Sequence, residues 1–204
     1  MVNKSSIIVA LDGITVREAL SIAAKLKGKV WGFKVNDLLF EGLEIITKLK
    51  KFGKVFADAK LHDIPNTVAN SVAKLSKAGA DMISVHSSGG IEMMKAAKLV
   101  AGKSKIIAVT VLTSSKKADN FLKLVDYAQK TNVDGIVCSA HELKYIKKQF
   151  LKVVPGIRPD WYNTKNDQKR TATPAEAVSL GADFIVIGRP ITKSSDPVKA
   201  IEKL

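Results

Sequence analysis

A short stretch of the sequence, VFADAKLHDIPNTV at residues 55–68, begins as an apolar strand and then carries three charged side chains. They are Asp58, Lys60 and Asp63. An unpaired charge in a low-dielectric interior costs several kcal/mol, so these charges indicate either chemistry or a buried ion pair. Because side chains alternate along a strand, Asp58 and Lys60 are expected to project together, with each stabilising the charged form of the other.

A second stretch, IGRP at residues 187–190, combines groups that bind phosphate. It offers the backbone N–H of Gly188, the guanidinium of Arg189 and a proline, Pro190, that can begin a short helix. Helix N-termini and arginine both favour phosphate. A Gly-Arg pair alone is a weak signal, so its meaning depends on the element that it follows.

Both stretches end short apolar runs that alternate along the chain with longer segments of helical period. Each run is apolar throughout, as a parallel strand covered on both faces should be. Strands are predicted at 7–11, 30–35, 55–60, 82–86, 106–112, 135–139, 152–155 and 184–188, and helices at about 15–26, 38–50, 66–78, 91–101, 118–130, 140–149, 174–180 and 196–204.

An internal sequence similarity indicates how many such units the chain holds. KAGADMISVH at 77–86 resembles SLGADFIVIG at 179–188, and Gly79 and Gly181 are expected to cap the preceding helices. These glycines are 102 positions apart, which fits four units of about 25 residues, and the 204-residue chain holds eight. We therefore predict an α/β fold, a (β/α)8 TIM barrel that forms a single catalytic domain over residues 1–204.

In such barrels the chemistry lies on the loops after the carboxyl ends of the strands. The predicted strands place there Asp12, Lys34, Asp58, Lys60, Thr113, Arg158 and Arg189. The segment 156–174 is the longest predicted loop, and a loop of that length in a short barrel is more often functional than idle. Asp63 lies where the chain turns towards Pro65, so it could cap a helix or reach out of its own barrel towards a neighbour's.

The formal net charge of +14 raises the question of a nucleic-acid partner. Only four of the 33 basic residues are arginines, the lysines are spread along the chain, and aromatic residues make up 6%. Nucleic-acid readers usually favour clustered arginine with interleaved aromatics. We interpret the excess as a solvated lysine-rich surface that can steer an anionic substrate.

The remaining composition fits a reducing cytoplasm. The single cysteine, Cys138, excludes an internal disulfide and is expected in the core. No apolar run approaches the roughly 18 residues of a membrane span, and the first apolar run is too short for a signal peptide. His86 is expected near the floor of the site, whereas His62 and His141 are expected to be non-catalytic. No metal-ligand spacing is present in the sequence, so we predict neither a metal nor a cofactor.

Eight motifs also occur in the order typical of one family. They are VALD (9–12), FKV (33–35), DAKLHDIPNT (58–67), VHSSGG (85–90), VTVLTS (109–114), PGIRP (155–159), DQKR (167–170) and IGRPIT (187–192). In this set the chain resembles the orotidine 5′-phosphate decarboxylases, which convert orotidine 5′-phosphate (OMP) to UMP and CO2 in pyrimidine biosynthesis. Related sugar-phosphate lyases share the Asp-x-Lys-x-x-Asp core, but the full set is highly specific.

The resemblance implies a role for each matching residue. Lys34, Asp58, Lys60 and Asp63 would form an alternating charged network, with Asp63 donated by the partner subunit of a homodimer and Lys60 protonating C6 of the pyrimidine. Ribose hydroxyls would bind Asp12 and Lys34, and Asp63 and Thr67 across the interface. The pyrimidine would contact Thr113, with Ser114 nearby, and the phosphate would bind Gln168, Gly188 and Arg189, with Arg158 close by.

Two alternatives remain open. The first is a lyase like the hexulose-phosphate synthases or ketogulonate-phosphate decarboxylases, which resemble this chain in the Asp-x-Lys-x-x-Asp core. Those enzymes need Mg²⁺ and carry a carboxylate where this chain has Lys34, whose ammonium repels a divalent cation. The second is a basic nucleic-acid-binding protein, which explains the charge but not the charged residues at the strand ends. Addition of EDTA tests the first, and a salt-dependent DNA titration tests the second.

Overall fold

The computed structural model describes residues 2–111, 120–162 and 171–204. Within these ranges, eight parallel strands form a closed barrel in chain order, and β8 pairs with β1. The strands are β1 Ile7–Ala10, β2 Gly32–Val35, β3 Lys54–Leu61, β4 Met82–His86, β5 Lys105–Val109, β6 Gly135–Val137, β7 Leu151–Val154 and β8 Phe184–Ile187. The predicted (β/α)8 barrel is confirmed.

Helices cover the outside of the barrel. They are α1 Val16–Leu26, α2 Glu44–Leu49, α3 Pro65–Lys77, α4 Gly90–Leu99, α5 Phe121–Gln129, α6 Pro174–Ser179, α7 Arg189–Thr192 and α8 Pro197–Glu202, with 3-10 helices at Lys4–Ser6, Asp37–Glu41, Ser87–Gly89 and Ala140–Tyr145. Nowhere in the described ranges is a helix both long and apolar enough to cross a membrane.

Two predicted helices are wrong in detail. The segment 38–50 is divided at Gly42, whose φ of 129° interrupts the helical backbone between the 3-10 helix Asp37–Glu41 and α2. The segment 140–149 holds only the 3-10 helix Ala140–Tyr145, because the buried Ile146 adopts an extended backbone that leads towards β7. The predicted end of the fifth strand, residue 112, lies outside the described residues.

The core has two layers, which follow from the alternation of side chains along the strands. One set points into the barrel and fills its interior, namely Ile8, Ala10, Phe56, Met82, Ile107, Val153 and Val186. The other set, which includes Val9, Ile83 and the predicted core residue Cys138, packs against the helices. The interior is therefore an apolar floor beneath the mouth of the barrel.

The similarity between the segments 77–86 and 179–188 has a structural cause at the amino-terminal end of the barrel. Gly79 and Gly181 cap α3 and α6 with φ of 100° and 97°, as predicted. The aspartate two positions after each glycine precedes an even-numbered strand and accepts the backbone N–H of a residue near the start of the preceding strand. Asp134, before β6, does the same. Oδ2 lies 2.8 Å from the amide nitrogen in each pair, Asp81 with Val55, Asp134 with Ile106 and Asp183 with Lys152.

We expect Asp81→Ala to lower the free energy of unfolding by about 1–3 kcal/mol, because the buried N–H of Val55 loses its acceptor. Asp126→Ala is the matched control, since within the described ranges the Asp126 carboxylate forms an exposed ion pair with Lys130 at the end of α5. Its loss should change stability by less than about 0.5 kcal/mol. Urea denaturation of both variants checks this. Equal losses of stability would show that the carboxylate of Asp81 does not support the barrel.

Candidate active site

Four charged side chains meet at the carboxyl ends of the adjacent strands β1, β2 and β3. Asp12 follows β1, Lys34 lies in β2, and Asp58 and Lys60 lie in β3. Lys34 Nζ lies 2.6 Å from Asp12 Oδ2 and 3.2 Å from Asp58 Oδ2. Lys60 Nζ lies 2.6 Å from the same Asp58 oxygen. The structure thus joins four predicted site residues in one chain of alternating charges.

The two central members of this chain are buried, with Lys34 and Asp58 only 7% and 6% exposed. Burial acts first against both charges, because it lowers the pKa of an ammonium and raises that of a carboxyl. The neighbouring opposite charges outweigh it, so the pKa of Lys34 is raised and the pKa of Asp58 is lowered from their usual values. Both groups are therefore charged at neutral pH.

The backbone of β3 is irregular where it carries these charges. Ala57 and Leu61, four positions apart, pair with residues of β4 that are only two apart. Lys60 has a φ of 48°, in the left-handed region that side chains other than glycine rarely adopt. The predicted contact between Asp58 and Lys60 is confirmed, but the regular alternation from which it was predicted does not hold beyond Ala57.

Two uncharged side chains that the sequence analysis missed hold this irregular segment. Ser84 Oγ, in β4, accepts the N–H of Lys60 at 2.9 Å and donates to Asp58 Oδ1 at 2.8 Å. Asn36 Nδ2 donates to the backbone carbonyl of Asp58 at 2.7 Å. The available signal was a polar residue within the apolar run MISVH, beside the strand that carries the charges.

A cavity of about 410 Å³ opens at this end of the barrel, a size typical of small-molecule sites. Its described lining includes four cationic side chains and two anionic ones above an apolar floor. The charged residues are Lys34, Lys60, Arg158, Arg189, Asp12 and Asp58, and the floor is formed by Ala10, Phe56, Val109, Val137, Val153 and Val186. The excess of cationic groups suits an anionic ligand, and the apolar floor suits a weakly polar part of that ligand.

The wall across from β3 carries the residues that are predicted to bind phosphate. Gly188 precedes α7, and Arg189 and Pro190 form its first turn, as the sequence predicts. Because β8 pairs with β1, Gly188 and Arg189 lie on the far side of Asp12 from Lys34 and Lys60. Arg158, which follows β7, donates through Nη1 to the carbonyl of Ile157 at 2.9 Å and lies 5.8 Å from the ring centre of Tyr162.

Two other predicted residues are absent from the described lining of this cavity. Asp63 and Thr67 are exposed beyond its rim. Asp63 does not cap α3, because Ile64 holds the N-cap position without a side-chain hydrogen bond; Asp63 Oδ1 instead accepts the N–H of Ile64 at 2.6 Å. Thr113, Ser114 and Gln168 lie outside the described residues.

The half-buried His86 ends β4, and its ring centre lies 5.8 Å from that of His62. Burial, then the neighbouring His62 and Lys60, lower the pKa of His86, while Asp58 acts in the opposite direction. His86 therefore favours the neutral form beside the charged network. In the part of the chain that the structure describes, no three histidine, cysteine or carboxylate side chains come together as a metal site.

Comparisons with known proteins agree with this geometry. The model of the orotidine 5′-phosphate decarboxylase / HUMPS family matches residues 5–204. The orotidine 5′-phosphate decarboxylase of Dichelobacter nodosus is 42% identical over 225 aligned positions, which cover 99% of this chain and 98% of that protein. The enzyme of the same name from Lactococcus lactis subsp. cremoris is 47% identical over 78% of both chains.

Among solved structures, the orotidine 5′-phosphate decarboxylase of Lactobacillus acidophilus superposes with a TM-score of 0.81 at 38% identity, and the match covers 96% of this chain and 95% of that one. The chain belongs to the orotidine 5′-phosphate decarboxylase / HUMPS family.

We expect Asp58→Ala to lower the free energy of unfolding near neutral pH by about 3–5 kcal/mol, because two ammoniums that share one carboxylate oxygen would be left facing each other. The pKa of Asp58 is lower in the folded state, so the stability it provides is present above its usual value of 3.8 and is lost as the pH falls below that value. The difference between wild type and Asp58→Ala should therefore shrink in acid.

Urea denaturation at several pH values checks this pH dependence, with the exposed variant Asp126→Ala as the control. A difference between wild type and Asp58→Ala that is small near neutral pH, or that grows in acid, would contradict the assigned charge state.

Proposed function

We propose that this member of the orotidine 5′-phosphate decarboxylase / HUMPS family decarboxylates OMP to UMP and CO2, a carboxy-lyase reaction of pyrimidine biosynthesis. The observation that carries the proposal is the chain of charges Asp12–Lys34–Asp58–Lys60 in the cavity of the barrel. Relatives that carry this enzyme's name are 40–47% identical over most of the chain.

The chemistry explains why this reaction needs a fixed ammonium. Loss of CO2 from C6 leaves an electron pair in the plane of the pyrimidine ring, where no adjacent group delocalises it. Lys60 is placed to stabilise this carbanion, because its side chain is 33% exposed at the cavity while Asp58 holds its Nζ. The C6–carboxyl bond breaks, its electron pair stays on C6, and a proton moves from Lys60 Nζ to C6. Lys60 then regains a proton from water.

The rest of the cavity supplies binding energy away from the reacting bond. Asp12 and Lys34 are assigned to the ribose hydroxyls, and Gly188, Arg189 and Arg158 to the phosphate. Thr113 and Gln168, assigned by resemblance to the pyrimidine and the phosphate, stay predictions. Phosphate binding on the wall across from Lys60 can offset the cost of placing an anionic substrate beside Asp58.

Lys34 favours this reaction over the Mg²⁺-dependent lyases of the same family. Its ammonium lies between the carboxylates of Asp12 and Asp58, at 2.6 and 3.2 Å, where a divalent cation would need oxygen ligands. We therefore propose a reaction that requires neither a metal nor an organic cofactor. Nucleic-acid binding is not favoured, because it gives no reason for buried charges at the strand ends.

Purified protein should convert OMP to UMP in the presence of EDTA, as followed by the ultraviolet absorbance of OMP. Lys60→Ala should lower kcat by roughly 10³-fold or more, because it removes both the stabilising charge and the proton donor. Lys95→Ala is the matched control, since Lys95 forms an exposed ion pair with Glu92 and should keep full activity. Loss of activity in EDTA with recovery in Mg²⁺, or near-normal turnover by Lys60→Ala, would refute this mechanism.

We further propose a cytoplasmic homodimer in which each site takes Asp63 and Thr67 from the partner subunit. Both residues are exposed outside the cavity of their own barrel. Phe40, in the 3-10 helix after β2, is 92% exposed, and Ile64, next to Asp63 in the chain, is 66% exposed. Large exposed apolar side chains of this kind are typical of interaction surfaces, and a two-fold dimer lets the same surface serve both subunits.

Mixing Asp63→Ala subunits with Lys60→Ala subunits tests this arrangement. A heterodimer would hold one site with both defects and one intact site, so an equal, fully exchanged mixture should recover about a quarter of wild-type activity. Lys34→Ala mixed with Lys60→Ala is the matched control. Both residues belong to the same barrel, so no intact site forms and no activity returns. If subunits demonstrably exchange and the first mixture stays inactive, Asp63 does not act across the interface.

A further inference from the structure

Ser84 contacts both the backbone of Lys60 and the carboxylate of Asp58. Its side chain is fully buried in β4, where the ladder between β3 and β4 is interrupted. The N–H of Lys60 lies in the interrupted segment and is bound by Ser84 Oγ at 2.9 Å. A partly buried backbone N–H is usually paired, and here the partner is a side chain rather than the backbone of the neighbouring strand.

The hydrogen-bonding capacity of a hydroxyl fixes the direction of both contacts. A hydroxyl has one proton to donate and lone pairs to accept, a carboxylate can only accept, and an amide N–H can only donate. The proton of Ser84 must therefore point to Asp58 Oδ1, at 2.8 Å, while its lone pair receives the N–H of Lys60. The other oxygen of Asp58 holds Lys60 Nζ at 2.6 Å.

We propose that Ser84 is the positioning residue that fixes the ammonium of Lys60 from both ends. It holds the backbone from which the Lys60 side chain extends, and it orients the carboxylate that receives the Lys60 ammonium. The left-handed φ of 48° at Lys60 persists only if its surroundings enforce it, and the hydroxyl of Ser84 is one of the contacts that do so. The catalytic consequence of this inference rests on the proposed function.

The expected effect of losing Ser84 lies in kcat rather than KM. The hydroxyl positions Lys60, whose ammonium stabilises the negative charge that develops at C6 in the transition state. Substrate binding is assigned to other residues. A misplacement of about 1 Å at a reacting group can cost 10²-fold in rate. We therefore expect Ser84→Ala to lower kcat by about 10–100-fold and to leave KM within about threefold of wild type.

Ser104→Ala is the matched control. Ser104 is also a buried serine, 5% exposed, and it donates to the carbonyl of Ala80 at 2.6 Å at the amino-terminal end of the barrel. Both alanine variants lose a buried hydroxyl, and both are assayed under conditions in which urea denaturation shows them to be folded. A difference in kcat between them therefore reports the position of the hydroxyl and not folding. If Ser84→Ala does not fold, Ser84→Cys replaces it, because a thiol of nearly the same size bonds only weakly.

Two further measurements separate positioning from a merely structural role. The first is the acid limb of the pH dependence of kcat. The groups around Asp58 are Lys34 on β2, Lys60 on its own strand, and Ser84 and the more distant His86 on β4. The hydrogen bond from Ser84 favours the charged carboxylate, so its loss should raise the pKa of Asp58. The acid limb should then move to higher pH. The second is amide hydrogen exchange at Lys60, which should become at least about 10-fold faster in Ser84→Ala and stay unchanged in Ser104→Ala.

Hydrogen exchange needs no substrate, so the inference and the proposed function fail separately. If wild-type protein does not decarboxylate OMP, the proposed function is wrong, and the exchange rate of Lys60 still decides whether Ser84 holds it. Unchanged exchange at Lys60 in Ser84→Ala overturns the inference. So does a kcat within twofold of wild type with an unmoved acid limb. Faster exchange with a lowered kcat in Ser84→Ala, and neither change in Ser104→Ala, supports it.

Discussion

One buried carboxylate determines the arrangement of the whole site. Asp58 is 6% exposed, and burial alone would raise its pKa, but the ammoniums of Lys34 and Lys60 share its Oδ2 and lower that pKa below its usual value. The dependence is mutual, because Lys34 is buried and needs Asp58 and Asp12 to stay charged. Loss of Asp58 would take a counter-charge from both lysines, and loss of either lysine would leave Asp58 with one ammonium in place of two. The contacts that stabilise the fold at this end of the barrel therefore also fix the positions of the charges.

The barrel concentrates regularity at one end and irregularity at the other. At the amino-terminal end, Asp81, Asp134 and Asp183 accept backbone N–H groups and fasten neighbouring strands in the same way three times. At the carboxyl end, β3 leaves the regular ladder and Lys60 adopts a left-handed backbone. A strained conformation persists only where the surrounding structure fixes it, and the closed ladder beneath provides that support. The regular ladder at the amino-terminal end therefore supports the irregular charged segment at the other end.

The barrel and most of the charged cluster could be predicted because their signals are local. Apolar runs, helical periodicity and charges at strand ends can be read within a few residues of each other. The backbone of Lys60 and the bonds of Ser84 could not, because they depend on how β3 pairs with β4, about 25 residues away. A serine in an apolar strand gives no sign of its partner. The helix expected at 140–149 failed for a similar reason, since buried packing at Ile146 overrode a helical pattern.

In the proposed reaction, the arrangement of charges favours the transition state over the bound substrate. The departing carboxylate of OMP would lie near Asp58, where two negative charges repel, and binding of the phosphate at Arg189 offsets that cost. As CO2 leaves, the negative charge passes to C6, which meets the ammonium of Lys60 instead. Asp58 Oδ2 and Lys60 Nζ are 2.6 Å apart. A short displacement of the substrate's negative charge, from its carboxylate to C6, therefore replaces repulsion by Asp58 with attraction to Lys60. A site held rigid by Lys34, Ser84 and the barrel can make that distinction, because its dipoles need no reorganisation as the charge moves.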